Sequence, residues 1–286
     1  MKSILVPVNL TSASLPSCKY AISLARDIGA SITYIYVLED PVFLSGMGIN
    51  LLMEEAESRM HRFFNKLNAA NPDVVMNYRI LKGAVATSIC NYASTHQTDL
   101  IIIGNTKQGR IAKSIAGNPV LQILRNAPCP AMEIPKTAHY KGLYKIVYAT
   151  DLSKENLRHL ETLIPFAKVN QSEIIVLYVN LLLKKNESES LQSIINKMKK
   201  KTGYASITGF ICDDIEVTDG LAYFLQKKHA DCIAIYTQHH SALYQLFKES
   251  TVKKATTHIH IPVLVIHDAD KTFIAEKSSK VRSMAL

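Results

Sequence analysis

The chain contains the same pattern of residues twice, and this internal repeat restricts its fold more than any other feature. Residues 4–15 (ILVPVNLTSASL) align with residues 146–157 (IVYATDLSKENL), which places Asn9 over Asp151. The alignment continues without a gap into the next apolar segment of each copy. Self-similarity at a constant spacing indicates repeated structural units, so the chain is predicted to contain two homologous domains.

A second aligned block completes each copy. Residues 99–104 (DLIIIG) lie over residues 231–236 (DCIAIY), and each copy ends in a proline-containing apolar run. The number of residues that separates two aligned positions is ten smaller in the second block than in the first. Residues 41–50 (PVFLSGMGIN), which occur only in the first copy, account for this difference. We interpret this apolar, glycine-bearing insertion either as a lid or partner-binding element, or as packing against the neighbouring domain.

Each copy alternates short apolar runs with segments of helical periodicity, which predicts a parallel α/β sheet. In the first copy the strands are predicted at ILVPV, ITYIYV, VVMNYRI, LIII and AMEI. The predicted fold is therefore two tandem Rossmann-like domains, each an open five-stranded parallel sheet with helices on both faces. The domains are predicted at 1–136 and 143–268, followed by a C-terminal tail at 269–286.

The composition is that of a globular protein. The 286 residues are 48% hydrophobic and 20% charged, and no apolar run is long enough to span a bilayer. ILVPV is predicted to be a first strand rather than part of a signal peptide, because the run is short and contains Pro7. The five cysteines are scattered, without a C-x-x-C pair, and suit a reducing compartment. A cytoplasmic protein is expected.

The net charge of +9 raises nucleic acid and membranes as partners. The densest basic run, residues 197–201 (KMKKK), closes a segment that opens with Glu187 and Glu189. Acids at the start and bases at the end are the arrangement that a helix dipole favours. Aromatic residues are not interleaved with the bases, as binding to single strands requires. We therefore expect a solvated helix end, with neither a membrane nor a nucleic-acid partner.

The sequence lacks the motifs of several enzyme classes. It has no G-x-G-x-x-G after the first strand, no G-x-x-x-x-G-K-[ST] loop and no G-x-S-x-G elbow. The second copy contains several histidines: His239, His240, His258, His260 and His267. No acid or cysteine stands at ligand spacing from them, so they are interpreted as surface or partly hydrogen-bonded residues, and no metal site is predicted. No catalytic residue is predicted.

Two loops of the first copy stand where a ligand is expected. In an open parallel sheet, ligands bind beyond the carboxyl ends of the strands, near the point where the strand order reverses. The first strand ends at Pro7, Val8 and Asn9, and the fourth strand ends at Gly104. The fourth strand is followed by NTKQGRIAKSIAGNPV, a polar stretch with small residues that leads into a helix.

The order of these features resembles the universal stress protein family in its tandem-domain form. The matching segments are ILVPVNLTSAS, ILKGAVATSICNYASTHQTDLIIIG with its following loop, and NAPCPAMEI at the end of the domain. The resemblance implies a 3-2-1-4-5 strand order and two domains packed on each other as the family's homodimers are. A further homodimer of the whole chain stays open.

Members of the family that bind ATP carry G-x-x-G, nine residues and then Gly-Ser or Gly-Thr after strand four, with an aspartate at the end of strand one. Gly104 and Gly117 match the first and third glycines. Lys107 stands in place of the second glycine, Asn118 in place of the hydroxyl residue and Asn9 in place of the aspartate. Asn118 is also a good N-cap for a helix that begins at a proline. Three of the family's five positions thus differ, and an altered site that still attracts anions is expected.

The second copy departs further from the family pattern. Asp151 keeps the acid of strand one, but Tyr236, His239 and Glu249 replace the three glycines. A carboxylate at a helix N-terminus repels phosphate, and Tyr236 fills space that a ribose or phosphate needs. ATP is not expected in the second domain.

The resemblance implies a binding or regulatory module of the stress response and not a dedicated enzyme. ATP is the ligand expected in the first domain only, with no metal beyond the magnesium that accompanies the nucleotide. The alternative is a nucleotide-dependent switch that hydrolyses ATP slowly. A regulatory protein partner is expected, but the sequence does not identify it.

Overall fold

The computed structural model describes residues 1–39, 46–104, 118–150, 159–179, 187–212, 224–236 and 260–266. Within these ranges the chain forms two compact units, one within Met1–Lys136 and the other within Thr137–Ile266. Both are α/β, as predicted. The predicted C-terminal tail, 269–286, lies outside the described residues. Across the described part of the chain, no helix is long and apolar enough to cross a membrane.

The first unit is a sheet of five parallel strands in the order β3-β2-β1-β4-β5. Its strands are β1 Ser3–Pro7, β2 Ser31–Leu38, β3 Met76–Lys82, β4 Leu100–Gly104 and β5 Ala131–Ile134. All residues of β4 and β5 are buried. Near-continuous apolar runs of this kind are typical of strands covered on both faces.

Four α-helices accompany this sheet: α1 Leu15–Ile28, α2 Gly46–Ala70, α3 Val85–Thr95 and α4 Pro119–Asn126. In α1 the side chains of Cys18, Ala21 and Ala25 lie on the buried face. The helix ends at Gly29, whose φ of 64° places it in the left-handed region and whose N–H donates to the carbonyl of Ala25. Glycine terminates helices in this way because it has no Cβ to clash.

The insertion of the first copy falls partly outside the described residues. Residues 41–45 are not described, whereas residues 46–50 form the start of α2. Part of the segment interpreted as an insertion is therefore helical. Glycine is tolerated in the first turn of a helix, because the N–H groups of this turn make no hydrogen bonds within the helix.

The second unit has the same plan. Its parallel strands are β6 Lys145–Thr150, β7 Glu173–Val179, β8 Ile207–Cys212, β9 Cys232–Tyr236 and β10 Val263–Ile266. Their order is β8-β7-β6-β9-β10. The described helices are α5 Ile164–Asn170 and α6 Glu187–Thr202, and residues 224–228 are also helical. Lys199, Lys200 and Lys201 lie in the last turn of α6, where the basic run was predicted to close a helix.

The two units share strand register and end contacts, which supports the alignment of the repeat. Ile4 lies opposite Leu100 in the first unit, and Ile146 lies opposite Cys232 in the second. The carboxylate of Asp99 accepts hydrogen bonds from the backbone N–H groups of Lys2 and Ser3, at 2.6 and 3.0 Å. In the second unit Asp231 accepts from the N–H groups of Tyr144 and Lys145, both at 2.8 Å.

In both units a 3-10 helix runs directly into an α-helix. Ser12–Ser14 precedes α1 in the first unit, and Leu160–Leu163 precedes α5, which begins at Ile164, in the second. Pro165 stands in the first turn of α5. Proline has no N–H to donate to the preceding turn and its ring clashes with a carbonyl there, so an α-helix starts at this point instead of running through it.

Candidate functional site

The carboxyl ends of β1 and β4 lie side by side in the first unit, because the two strands are neighbours in the sheet. Pro7 is the last residue of β1 and is half-buried. The side chain of Val8 is buried, and its N–H donates to the carbonyl of Ile35 on β2 at 2.8 Å. Asn9, the next residue, is exposed. The chain therefore leaves the sheet between Val8 and Asn9.

Asn9 organises the loop that follows β1. Its Oδ1 accepts hydrogen bonds from the Thr11 N–H at 3.1 Å, the Thr11 hydroxyl at 2.8 Å and the Ser14 hydroxyl at 2.6 Å. Its own backbone N–H donates to Ser14 Oγ at 3.0 Å. Since Oδ1 is used by three donors, Nδ2 is the atom that remains, and it makes no hydrogen bond among the described residues. Asn9 thus presents a donor to the solvent.

The loop then turns into a short 3-10 helix, Ser12–Ser14, ahead of α1. Leu10 has a φ of 57°, an unusual conformation for a residue with a branched side chain. Thr11 caps the 3-10 helix, and its hydroxyl oxygen accepts from the Ala13 N–H at 3.2 Å. The hydrogen bonds of Asn9 and Thr11 therefore stabilise a turn that returns the chain over the end of the sheet.

Gly104, the last residue of β4, is buried against this turn. A Cβ atom built on Gly104 would lie 3.0 Å from Ser17 Oγ and 3.7 Å from the carbonyl oxygen of Ala13. Ser17 is fully buried, and its hydroxyl donates to the carbonyl of Ser14 at 2.9 Å. Any side chain at Gly104 would press on the start of α1. The structure thus brings Gly104 beside the loop that Asn9 organises.

Asn118 is the N-cap of α4, as its residue type predicts. Its Oδ1 accepts from the N–H groups of Val120 and Leu121, at 3.0 and 3.4 Å. Pro119, the first helical residue, has no N–H. The N–H groups of Val120 and Leu121 are therefore satisfied by Asn118, and Pro119 has none to offer an anion. Lys107 and Gly117 lie outside the described residues.

In the second unit, Tyr236 holds the position of Gly104 at the end of the equivalent strand. Its ring stacks on the imidazole of His159, with 3.8 Å between the ring centroids and 14° between the planes. Both side chains are buried. Sequence reasoning named Tyr236 but missed His159, although the repeat alignment would have placed His159 over Ser17. His239 and Glu249 lie outside the described residues, as does Asp151.

The surroundings of four thiols favour their protonated form. Burial raises the pKa of Cys18, Cys129 and Cys232 to about 12 and that of Cys90 to about 11. Thiolates are the nucleophiles and metal ligands of cysteine, so these residues serve the core. Across the described ranges, no three histidine, cysteine or acidic side chains are grouped closely enough to hold a metal ion.

Comparison with known proteins identifies the family. The sequence profile described as the universal stress protein family matches residues 1–135 and, a second time, residues 143–267. The chain belongs to the universal stress protein family. The two matches show that it is a tandem universal stress protein, with one family domain in each unit.

Individual relatives agree with this assignment. The universal stress protein MJ0531 of Methanocaldococcus jannaschii is 26% identical over 142 residues, which are 47% of this chain and 82% of that protein. A universal stress protein of Archaeoglobus fulgidus has a similar structure, with a TM-score of 0.73, 16% identity and coverage of 94% of this chain and 97% of its own. The protein PA1789 of Pseudomonas aeruginosa has a TM-score of 0.58, 17% identity and 98% coverage of both chains. At these identities the two structures support the fold alone.

Proposed function

We propose that this tandem universal stress protein is a binding or regulatory module of the stress response, and that its first unit binds an adenine nucleotide. The observation that carries the proposal is the state of Asn9. It is exposed at the carboxyl end of β1, and its oxygen is held by Thr11 and Ser14. Nδ2 therefore offers a hydrogen-bond donor at the edge of the sheet where ligands of this fold bind. Ribose and phosphate oxygens are acceptors that suit it.

Gly104 supports the same site. Because it has no side chain, the strand end and the loop after β1 approach each other closely. The equivalent position of the second unit carries the buried ring of Tyr236. We therefore assign the nucleotide to the first unit alone, with Pro7, Val8, Asn9 and Gly104 forming the side of the site at the sheet edge.

The proposal places the phosphates away from the N–H groups of the first turn of α4. The N–H groups of Val120 and Leu121 are already used by Asn118. Lys107 and Gly117 are the remaining candidates of the loop after β4, one for its charge and the other for its backbone N–H. Magnesium enters only as the ion that accompanies ATP. We assign no catalytic group, and the proposed role is to hold the nucleotide and not to turn it over.

Isothermal titration calorimetry with magnesium–ATP on the intact chain tests this proposal. Saturable binding of one nucleotide per chain is expected, and Lys107→Ala should weaken it about tenfold, since a lost phosphate contact is worth roughly 1.4 kcal/mol. Lys200→Ala is the matched control, because Lys200 is an exposed lysine of the second unit, in the last turn of α6. Its removal changes the net charge equally and should leave the affinity unchanged. Absence of binding to the wild-type chain would refute the proposal.

A second measurement separates the module from the slow ATP-hydrolysing switch. Phosphate release is followed over hours with the wild-type chain and with Lys107→Ala. The binding module predicts equal, background release from both proteins. Release from the wild-type chain above that of the variant would favour the switch instead.

A further inference from the structure

A groove runs along the outer edge of the sheet in the first unit. β3 is the last strand of that sheet, and among the described residues no strand pairs with its outer side. The groove has a volume of about 520 Å³ and lies between β3 and α2. It is lined by Met53, Glu57 and His61, which are spaced four apart on one face of α2, and by Tyr78, Arg79 and Ile80 of β3. It is distinct from the proposed nucleotide site, because β2 stands between β3 and β1.

The outer side of β3 presents backbone groups that β2 does not use. Just before and just after β3, the carbonyl of Val75 and the N–H of Gly83 form hydrogen bonds with β2, at 2.9 and 3.0 Å. In a parallel ladder alternate residues of a strand bond to the same neighbour, so the odd-numbered residues of β3 are those that bond to β2. Tyr78 and Ile80 therefore direct their N–H and carbonyl groups outwards, along the groove.

One side chain of β3 explains why a groove forms here. The ring of Tyr78 packs on the ring of Phe64 in α2, with 5.0 Å between their centroids. Tyr78 pairs with Tyr34, and at the equivalent place in the second unit Gly209 pairs with Val176. A Cβ at Gly209 would already collide with α6, so that helix lies directly on its strand. The tyrosine ring holds α2 further from the strand, and the outer edge stays accessible.

Arg79 gives this edge its charge. Its side chain is exposed, and its guanidinium donates a hydrogen bond to the carbonyl of Tyr78 at 2.9 Å. It forms no ion pair within the described part of the chain. Arginine has five N–H donors and can hold a carboxylate through two of them. Two β3 edges paired with each other would bring their Arg79 side chains close together, and like charges opposite each other are destabilising. The edge therefore suits an acidic partner better than a second copy of the chain.

We propose that the groove binds an extended segment of a partner protein, in which apolar residues alternate with acidic ones. The segment adds to β3 as a further strand, and its backbone bonds to Tyr78 and Ile80. Side chains of an added strand point alternately to the two faces of the sheet. Those on the α2 face enter the groove beside Met53 and Ile80, where Glu57 disfavours acids. Those on the other face meet Arg79, whose guanidinium exchanges the Tyr78 carbonyl for a carboxylate.

Fluorescence anisotropy with the intact chain tests this inference. The probe is a fluorescein-labelled peptide of seven residues in which valine alternates with glutamate. Saturable binding is expected, at least tenfold tighter than that of two control peptides, one with lysine in place of glutamate and one with a central proline that cannot join a strand ladder. Arg79→Glu should weaken binding of the glutamate peptide at least tenfold and should bind the lysine peptide instead. Lys19→Glu, at an exposed position of α1, changes the net charge equally and should leave the affinity unchanged.

Amide hydrogen exchange of the wild-type chain locates the peptide without any variant. Binding should slow exchange at Tyr78 and Ile80 and leave Arg79 and Leu81, whose N–H groups face β2, unchanged. The inference is overturned if the glutamate peptide does not bind, if the lysine peptide binds equally well, or if binding leaves the Tyr78 and Ile80 amides unprotected. A dimer of the free chain that protects the same two amides also overturns it, because the occupant is then a second copy. No nucleotide is present in these measurements, so their outcome is separate from that of the proposed function.

Discussion

The packing of α6 on β8 provides a sharp test of the core of the second unit. Gly209 lies on β8 opposite Val176 of β7. A Cβ atom at Gly209 would lie 2.3 Å from Ile195 Cδ1 and 3.0 Å from Leu191 Cδ2. Ordinary contacts between such atoms are longer than about 3.5 Å, so α6 or its side chains must move by about 1 Å to admit alanine.

The cost of Gly209→Ala follows from two opposing effects. Overpacking of a closely packed core costs about 1–3 kcal/mol. Replacing glycine within a strand returns about 0.5–1 kcal/mol of backbone entropy. We therefore expect a net destabilisation of the second unit of up to about 2.5 kcal/mol.

Ile195→Val removes the atom that the new methyl group would strike. Alone it should cost about 0.5–1.5 kcal/mol, because it deletes one buried methyl group. The double variant with Gly209→Ala should be destabilised by less than the sum of the two single variants, since the alanine methyl group then occupies the vacated space. Ile194→Val on the same helix is the matched control; it deletes the same group at a half-buried position and should not rescue Gly209→Ala.

Native-state hydrogen exchange of the β8 and α6 amides measures these effects in the intact chain. It reports the second unit by itself, which matters because a two-domain chain need not unfold in one step. If the free energies of the single variants and the double variant add within about 0.5 kcal/mol, the contact between Gly209 and Ile195 is not the cause and the reasoning fails.

Three further predictions concern caps and thiols. Asn118→Ala should destabilise α4 by about 1 kcal/mol, because the helix loses its N-cap, and Asn118→Asp should not. Amide exchange of α4 measures both variants. Equal destabilisation by the two substitutions would show that the cap is not the cause. Asp231→Ala should cost about 1–3 kcal/mol in denaturant unfolding, because the N–H groups at the start of β6 lose a charged acceptor, and Asp231→Asn should cost less. At pH 8, mass spectrometry should show Cys90 alkylated before Cys18, Cys129 and Cys232, which are buried. Burial raises the pKa of Cys232 from 9.0 to about 12, so the stability that it contributes is complete below pH 9 and is lost as the pH rises towards 12. Rapid labelling of Cys232 in the folded chain, or stability that does not fall over this range, would contradict its burial.

The strands were predictable because their signal is local. Predicted AMEI coincides with β5, and the predicted ITYIYV lies within β2. The α2 helix was harder, since its first residues carry two glycines within a segment that one copy has and the other lacks. Helix starts depend on satisfied end groups, and periodicity does not report those.

The candidate site was predictable in its location but not in its chemistry. Asn9 and Gly104 could be placed at the carboxyl edge because strand ends follow from the apolar runs. The hydrogen bonds that Thr11 and Ser14 donate to Asn9 Oδ1 depend on the conformation of the loop after β1. The distance from Gly104 to Ser17 joins residues far apart in the chain, so it appears only when β4 packs beside α1.

The sequence by itself determined two tandem α/β domains, because repeats and alternating apolar runs are properties of order along the chain. The resemblance of its loop segments indicated the universal stress protein family. Tertiary structure alone decided that Tyr236 meets His159 where Gly104 meets Ser17. The two residues of each pair are distant in sequence and come into contact only when the sheet has formed. The same strand end then holds a glycine packed on a serine in one unit and two stacked rings in the other, although the apolar pattern that builds it is the same in both.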